Sequence, residues 1–131
     1  MKVRTVVVGV DPSPNARAAF EWARTFASAF GADLVAVHAV GLLEHASARA
    51  SASSAKWWDE LDAPEVELRR VMRDGNPVSL LQAVRDEENA DLVVVGSRGK
   101  GGAPSVQLGS TSSQLLRSGT VPIVVVPWAG A

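Results

Sequence analysis

Residues 92–102 read Leu92-Val93-Val94-Val95-Gly96-Ser97-Arg98-Gly99-Lys100-Gly101-Gly102. Four aliphatic residues in a row, three of them β-branched, run directly into a glycine-rich loop. A strand whose apolar residues do not alternate with polar ones is buried on both faces, as in a parallel sheet covered by helices. Working outward, residues 5–10, 34–40 and 123–126 repeat this pattern. Residues 65–73 place Val66, Leu68, Val71 and Met72 among charged side chains, which predicts an edge strand with one exposed face.

Helix signals fall between these runs. Ser13-Pro14 is an N-cap followed by proline at the first helical position. Ala19, Ala23, Phe26 and Phe30 follow at helical spacing, and Gly31 is a stop. Asn76-Pro77 repeats the start signal ahead of Val78, Leu81 and Val84. Ser110 or Thr111 caps a short helix through Leu115 and Leu116 that Gly119 ends, and residues 44–63 are read as a helix without clear limits. Strands alternating with helices imply right-handed βαβ units in one parallel sheet with helices on both faces. To cover both faces the chain reverses direction across the sheet, and at that point a crevice opens at the carboxyl ends of two strands. The loop after the first strand (Gly9-Val10-Asp11-Pro12-Ser13) and the loop after the fourth are expected to flank it.

Composition narrows the function. The 131 residues suit one domain spanning residues 1–131. A net charge of −1 provides no field for nucleic acid or an anionic membrane, and the absence of cysteine removes disulfides, thiolate metal sites and cysteine nucleophiles. No targeting or membrane-spanning segment is visible, so a soluble, cytoplasmic protein is expected.

The glycines at 96, 99, 101 and 102 follow a buried strand, and Gly109-Ser110 then opens a helix. Glycine lets backbone N–H groups approach a phosphate, and a helix start adds unpaired N–H groups with the positive end of its dipole. Ser110 and Thr111 add hydroxyl donors; Arg98 and Lys100 add charge, although Lys100 reads more simply as a surface residue. At roughly 1.5–3 kcal/mol per charge-assisted hydrogen bond, three or four would hold a triphosphate at micromolar strength. Two other phosphate motifs are missing: no Gly-x-x-x-x-Gly-Lys-Ser/Thr string occurs, and the first strand is not followed by Gly-x-Gly-x-x-Gly.

What does occur is Gly96-x-x-Gly99, nine residues, then Gly109-Ser110. That spacing resembles the ATP-binding signature of the universal stress protein family, and the likeness runs from end to end. It includes Val7-Val8-Gly9-Val10-Asp11-Pro12-Ser13, Val37-His38-Ala39-Val40 and Leu92-Val93-Val94-Val95-Gly96-Ser97-Arg98-Gly99. The resemblance implies an open five-stranded parallel sheet of order 3-2-1-4-5, adenine nucleotide alpha hydrolase-like. It implies a regulatory, ATP-binding stress-response protein, the ATP with or without Mg²⁺. Asp11 would meet the ribose or adenine, with Gly9 and Val10 on the pocket floor. Ala39 stands where the family usually has a valine whose backbone reads adenine. Gly96, Arg98 and Gly99 would bracket ribose and phosphates, and Gly109, Ser110 and Thr111 would bind the phosphate tail. The last strand, Val121-Pro122-Ile123-Val124-Val125-Val126, would pair with its copy in a homodimer. The chain departs from the family in a more flexible spacer, Gly101-Gly102-Ala103-Pro104-Ser105, and in a short segment between Val40 and Glu65.

Plainer readings compete at single residues. Asp11 is also a common turn residue. His38, with no ligand partner at metal spacing, reads as a core histidine. Trp57-Trp58 read as one core residue and one at an interface or in solvent. Two other functions remain open: slow ATP hydrolysis or phosphate transfer to a serine such as Ser110, and a nucleotide-free dimer acting through protein contacts. No acidic pair for Mg²⁺ and no general base is identifiable, which ranks the enzyme below the binding module.

Overall fold

The structure, a computed structural model, describes residues 2–40, 56–97 and 121–127. Five strands are present: β1 (Thr5–Gly9), β2 (Asp33–Val40), β3 (Leu68–Asp74), β4 (Leu92–Gly96) and β5 (Ile123–Val126). The helices among the described residues are α1 (Pro14–Phe30), a single turn α2 (Lys56–Asp59) and α3 (Pro77–Glu88). The sheet has the order β3-β2-β1-β4-β5, and every neighbouring pair is parallel.

The valine runs divide between two cores because successive strand side chains point to opposite faces. Val6, Val8, Leu34, Ala36 and Val94 meet Ala19, Phe20, Ala23 and Ala27 of α1. Val7, Val35, Val37, Val93 and Val95 meet Leu80, Leu81 and Val84 of α3. Each fully buried valine or leucine contributes roughly 1.5–3 kcal/mol of transfer free energy. The alanines of α1 let its backbone lie close to the strands, which later fixes the geometry of the loop at its N-terminus.

Local signals end the helices as read. The Ser13 hydroxyl accepts the Ala16 N–H at 3.1 Å, and Gly31 closes α1 at φ 65°. The Asn76 side chain accepts from the Val78 and Ser79 N–H groups at 2.9 and 3.2 Å, and Asn89 closes α3 at φ 51°. Asn76 is exposed, so Asn76→Ala opens no cavity and removes only the cap. It is expected to lower stability by about 1 kcal/mol, read as an earlier urea midpoint with an unchanged slope.

Two elements differ from the sequence reading. The edge strand starts at Leu68 rather than residue 65, because the Val66 N–H closes a turn onto the Ala63 carbonyl at 3.1 Å and keeps residues 64–66 out of the ladder. Of the helix read over residues 44–63, the described part is the single turn α2; residues 41–55, and the short helix read from Ser110 or Thr111, lie outside the described residues. The charges of β3 are used at the sheet edge. Arg69 reaches Asp33 at 3.0 Å and Glu88 at 2.6 Å, and Arg73 forms a two-pronged pair with Glu87 at 2.7 Å. At the opposite edge, all four residues of β5 are half-buried.

Candidate functional site

From β1 the chain steps one way through β2 to β3 and then crosses to β4 and β5 on the other side. The carboxyl ends of β1 and β4 are therefore neighbours at the point where the strand order reverses, which is where ligands enter sheets of this kind. Val8 pairs with Val94, and Gly9 with Val37. Just past the end of β1 the Val10 N–H still reaches the Val37 carbonyl at 2.9 Å, and Asp11 follows it. Of the residues singled out from sequence, Gly9, Ala39 and Gly96 lie at the carboxyl ends of three adjacent strands, and Val10 and Asp11 directly follow the first of them. Arg98, Gly99, Gly109, Ser110 and Thr111 lie outside the described residues.

Both described glycines of the site also serve packing. A Cβ on Gly9 would stand 3.2 Å from Leu81 Cδ1 and 3.5 Å from Val95 Cγ1, so α3 presses on the end of β1. A Cβ on Gly96 would stand 3.0 Å from the Asn15 carbonyl carbon and oxygen, so the first turn of α1 lies on the end of β4. Asn15 is buried there, and the Ser97 hydroxyl lies 3.4 Å from its side-chain oxygen. Sequence reasoning passed over this seam. Asn15 and Ser97 are 82 positions apart, and nothing local in either marks it.

Asp11 shapes the turn between β1 and α1. Its Oδ1 accepts the Ser13 N–H at 2.8 Å, an Asx turn that delivers Ser13 to its capping position. The turn reading of Asp11 is therefore correct, and the second carboxylate oxygen accepts no hydrogen bond among the described residues. His38 is a core residue at 3% exposure. Its Nδ1 lies 2.9 Å from the Val10 carbonyl oxygen. A carbonyl only accepts, so Nδ1 carries the proton.

Trp57 and Trp58 do not separate into one core and one outlying residue. Both are half-buried against the α1-side core. Neighbours on a helix diverge by about 100°, yet the two long indoles converge on His38, with ring centroids 4.8 and 6.2 Å from its ring. The Arg70 guanidinium on β3 binds the Leu61 carbonyl just after α2 and ties this segment to the sheet. Between α2 and the start of α1 lies a cleft of about 340 Å³, lined by Val10, Asp11, Ser13, Ala16, Arg17, Trp57 and Leu61 among others.

Shifted ionisations belong to ion pairs on other surfaces. The Arg24 hydrogen bond lowers the Glu65 pKa, and the Arg73 hydrogen bonds lower that of Glu87. Among the described residues no cluster of three or more His, Asp or Glu is set to hold a metal, and no helix is long and apolar enough to cross a membrane.

The sequence profile of the Universal stress protein family matches residues 2–127. A universal stress protein of Mycobacterium tuberculosis is 34% identical, the match covering 92% of this chain and 43% of the relative, so this chain spans less than half of that protein's length. The universal stress protein UspA of Lactobacillus plantarum has a similar fold, with a TM-score of 0.78 at 22% identity, covering 96% of this chain and 99% of that one. A universal stress protein solved in complex with cAMP superposes with a TM-score of 0.69 at 29% identity over 96% and 98% of the two chains. With the strand order reversing between β1 and β4 and the profile running almost from end to end, the chain belongs to the universal stress protein family.

Proposed function

We propose that the chain binds an adenine nucleotide, ATP, at the carboxyl ends of β1 and β4 and acts as a regulatory, dimeric stress-response protein. The observation that carries this reading is that Gly9, Ala39 and Gly96 lie at the ends of adjacent strands at the switch point, with Val10 and Asp11 directly after Gly9 and the Gly96-x-x-Gly99, nine-residue, Gly109-Ser110 spacing running on from β4. The family member that binds cAMP, at 29% identity, supports an adenine nucleotide as the ligand class.

Asp11 offers its uncommitted oxygen to the ribose or base, while Ala39 offers backbone. Gly96, Arg98 and Gly99 bracket the ribose and phosphates, and Gly109, Ser110 and Thr111 take the phosphate tail. Any Mg²⁺ would ride on the phosphates. The half-buried β5 edge supports pairing with a second copy along residues 121–126, since an open apolar strand edge favours a partner.

Titration calorimetry with ATP tests the reading. Heat fitting a Kd of about 1–100 μM is expected, lost in Gly109→Val while the melting temperature holds. No heat at millimolar nucleotide overturns the reading. Light scattering at micromolar protein is expected to give the dimer mass, and a strictly monomeric mass overturns the dimer.

A further inference from the structure

The nucleotide reading leaves part of the cleft beside α1 without a role. Trp57 and Arg17 both line it. The Arg17 guanidinium makes no hydrogen bond or ion pair among the described residues, and Asp11 contributes the carboxylate oxygen that the Asx turn leaves uncommitted. A large aromatic wall, a single acceptor and a planar cation therefore face one space of about 340 Å³. Ligand pockets run from about 300 to 1,000 Å³, so this one has room for a nucleoside and not for a dinucleotide.

The wall is held in place. Trp57 meets the His38 ring at 4.8 Å and an interplanar angle of 82°, and the Trp58 ring at 5.7 Å and 69°. His38 is in turn fastened to the Val10 carbonyl, one residue before Asp11. The buried ring thus holds the indole and the backbone just before Asp11, while the Asx turn holds the carboxylate, and a ligand meeting both finds little left to order.

We propose that Trp57, with Arg17, forms the base-recognition wall of the nucleotide site: the purine stacks on the indole and its exocyclic amino group donates to the free Asp11 oxygen. The proposal rests on the adenine-nucleotide reading and adds to it the residues that choose the base. The Asx turn is what favours adenine. Guanine presents two adjacent donors and pairs best with both oxygens of a carboxylate, but Oδ1 is committed to the Ser13 N–H at 2.8 Å. Adenine presents one amino group, and one oxygen is available. Arg17 closes the same cleft from α1, where its planar guanidinium packs against a flat ring or its edge.

The test is calorimetric titration of ATP, GTP and CTP into the full chain and into Trp57→Ala, Trp57→Phe and Arg17→Ala. Loss of a stacked base should weaken ATP binding about 10-fold or more in Trp57→Ala, while Trp57→Phe, which keeps a π face, stays within about 3-fold of the parent. Arg17→Ala should weaken ATP by several-fold and narrow the preference for ATP over CTP, because the larger purine gains more from stacking. ATP should also quench tryptophan fluorescence in the parent and fail to do so in Trp57→Phe, a readout that holds even where Trp57→Ala does not fold. If the parent binds ATP while Trp57→Ala binds it equally, or if the quench survives in Trp57→Phe, the wall is overturned and the nucleotide reading stands. If the parent binds no nucleotide, both fall.

Discussion

Gly96→Val is expected to destabilise the chain by about 3 kcal/mol, at the upper end of what overpacking costs. For a chain of this size that corresponds to a melting temperature lower by about 10 °C. The cause lies in the seam between β4 and α1. The added Cβ would stand 3.0 Å from the Asn15 carbonyl carbon and oxygen and 3.1 Å from its Cβ. Two of those three atoms are backbone and cannot swing aside as a side-chain tip can. Asn15 sits in the first turn of a helix whose alanines press onto the sheet, so relieving the contact means lifting α1 and opening the core under Ala19 and Ala23. Gly96→Ala, with one carbon, should cost about 1 kcal/mol. Thermal and urea melts of both variants check this, and a melt unchanged by valine would show that α1 moves away freely. Gly96 is also the first glycine of the phosphate-loop spacing, so lost ATP binding in either variant would not separate a ligand contact from a displaced helix. Gly109→Val is the cleaner probe for that reason.

His38→Ala is expected to cost about 3–5 kcal/mol, the larger of the two effects at its upper limit. Truncation leaves a cavity where the ring met Trp57 and Trp58, and large-to-small changes in a core cost about 2–5 kcal/mol. It also leaves the Val10 carbonyl without its 2.9 Å donor, a loss of about 1–3 kcal/mol for a buried acceptor. The terms overlap, because a relaxed cavity can admit water to the carbonyl. His38→Leu refills most of the volume and restores no donor, so it should cost about 1–3 kcal/mol and separate the ring's polar contacts from its packing. Chemical denaturation of the two variants gives both values, and equal losses would show that packing contributes nothing beyond the bond. Val10 and Trp57 both border the cleft, so both variants are also expected to bind ATP more weakly than their stability loss at the assay temperature explains.

Much of this architecture was legible in the residues alone. The unbroken valine runs announced strands buried on both faces, and β1, β2, β4 and β5 appear where those runs lie. Ser13-Pro14 with Gly31, and Asn76-Pro77, announced the ends of α1 and the start of α3, because caps are bonds between residues two to four positions apart. The glycine spacing after β4 and the acidic turn after β1 pointed to the same end of the sheet.

What the chain order does not contain is who meets whom across the sheet. The crossing from β3 to β4 puts Gly96 against Asn15, a contact that no local preference encodes. The same holds for the indole pair, which sequence periodicity divided between core and outside but which the tertiary structure gathers around His38. Backbone sterics and capping bonds act over a few residues, so a sequence displays them directly. The packing of distant segments is decided only when the layers close and each side chain competes for the same buried space.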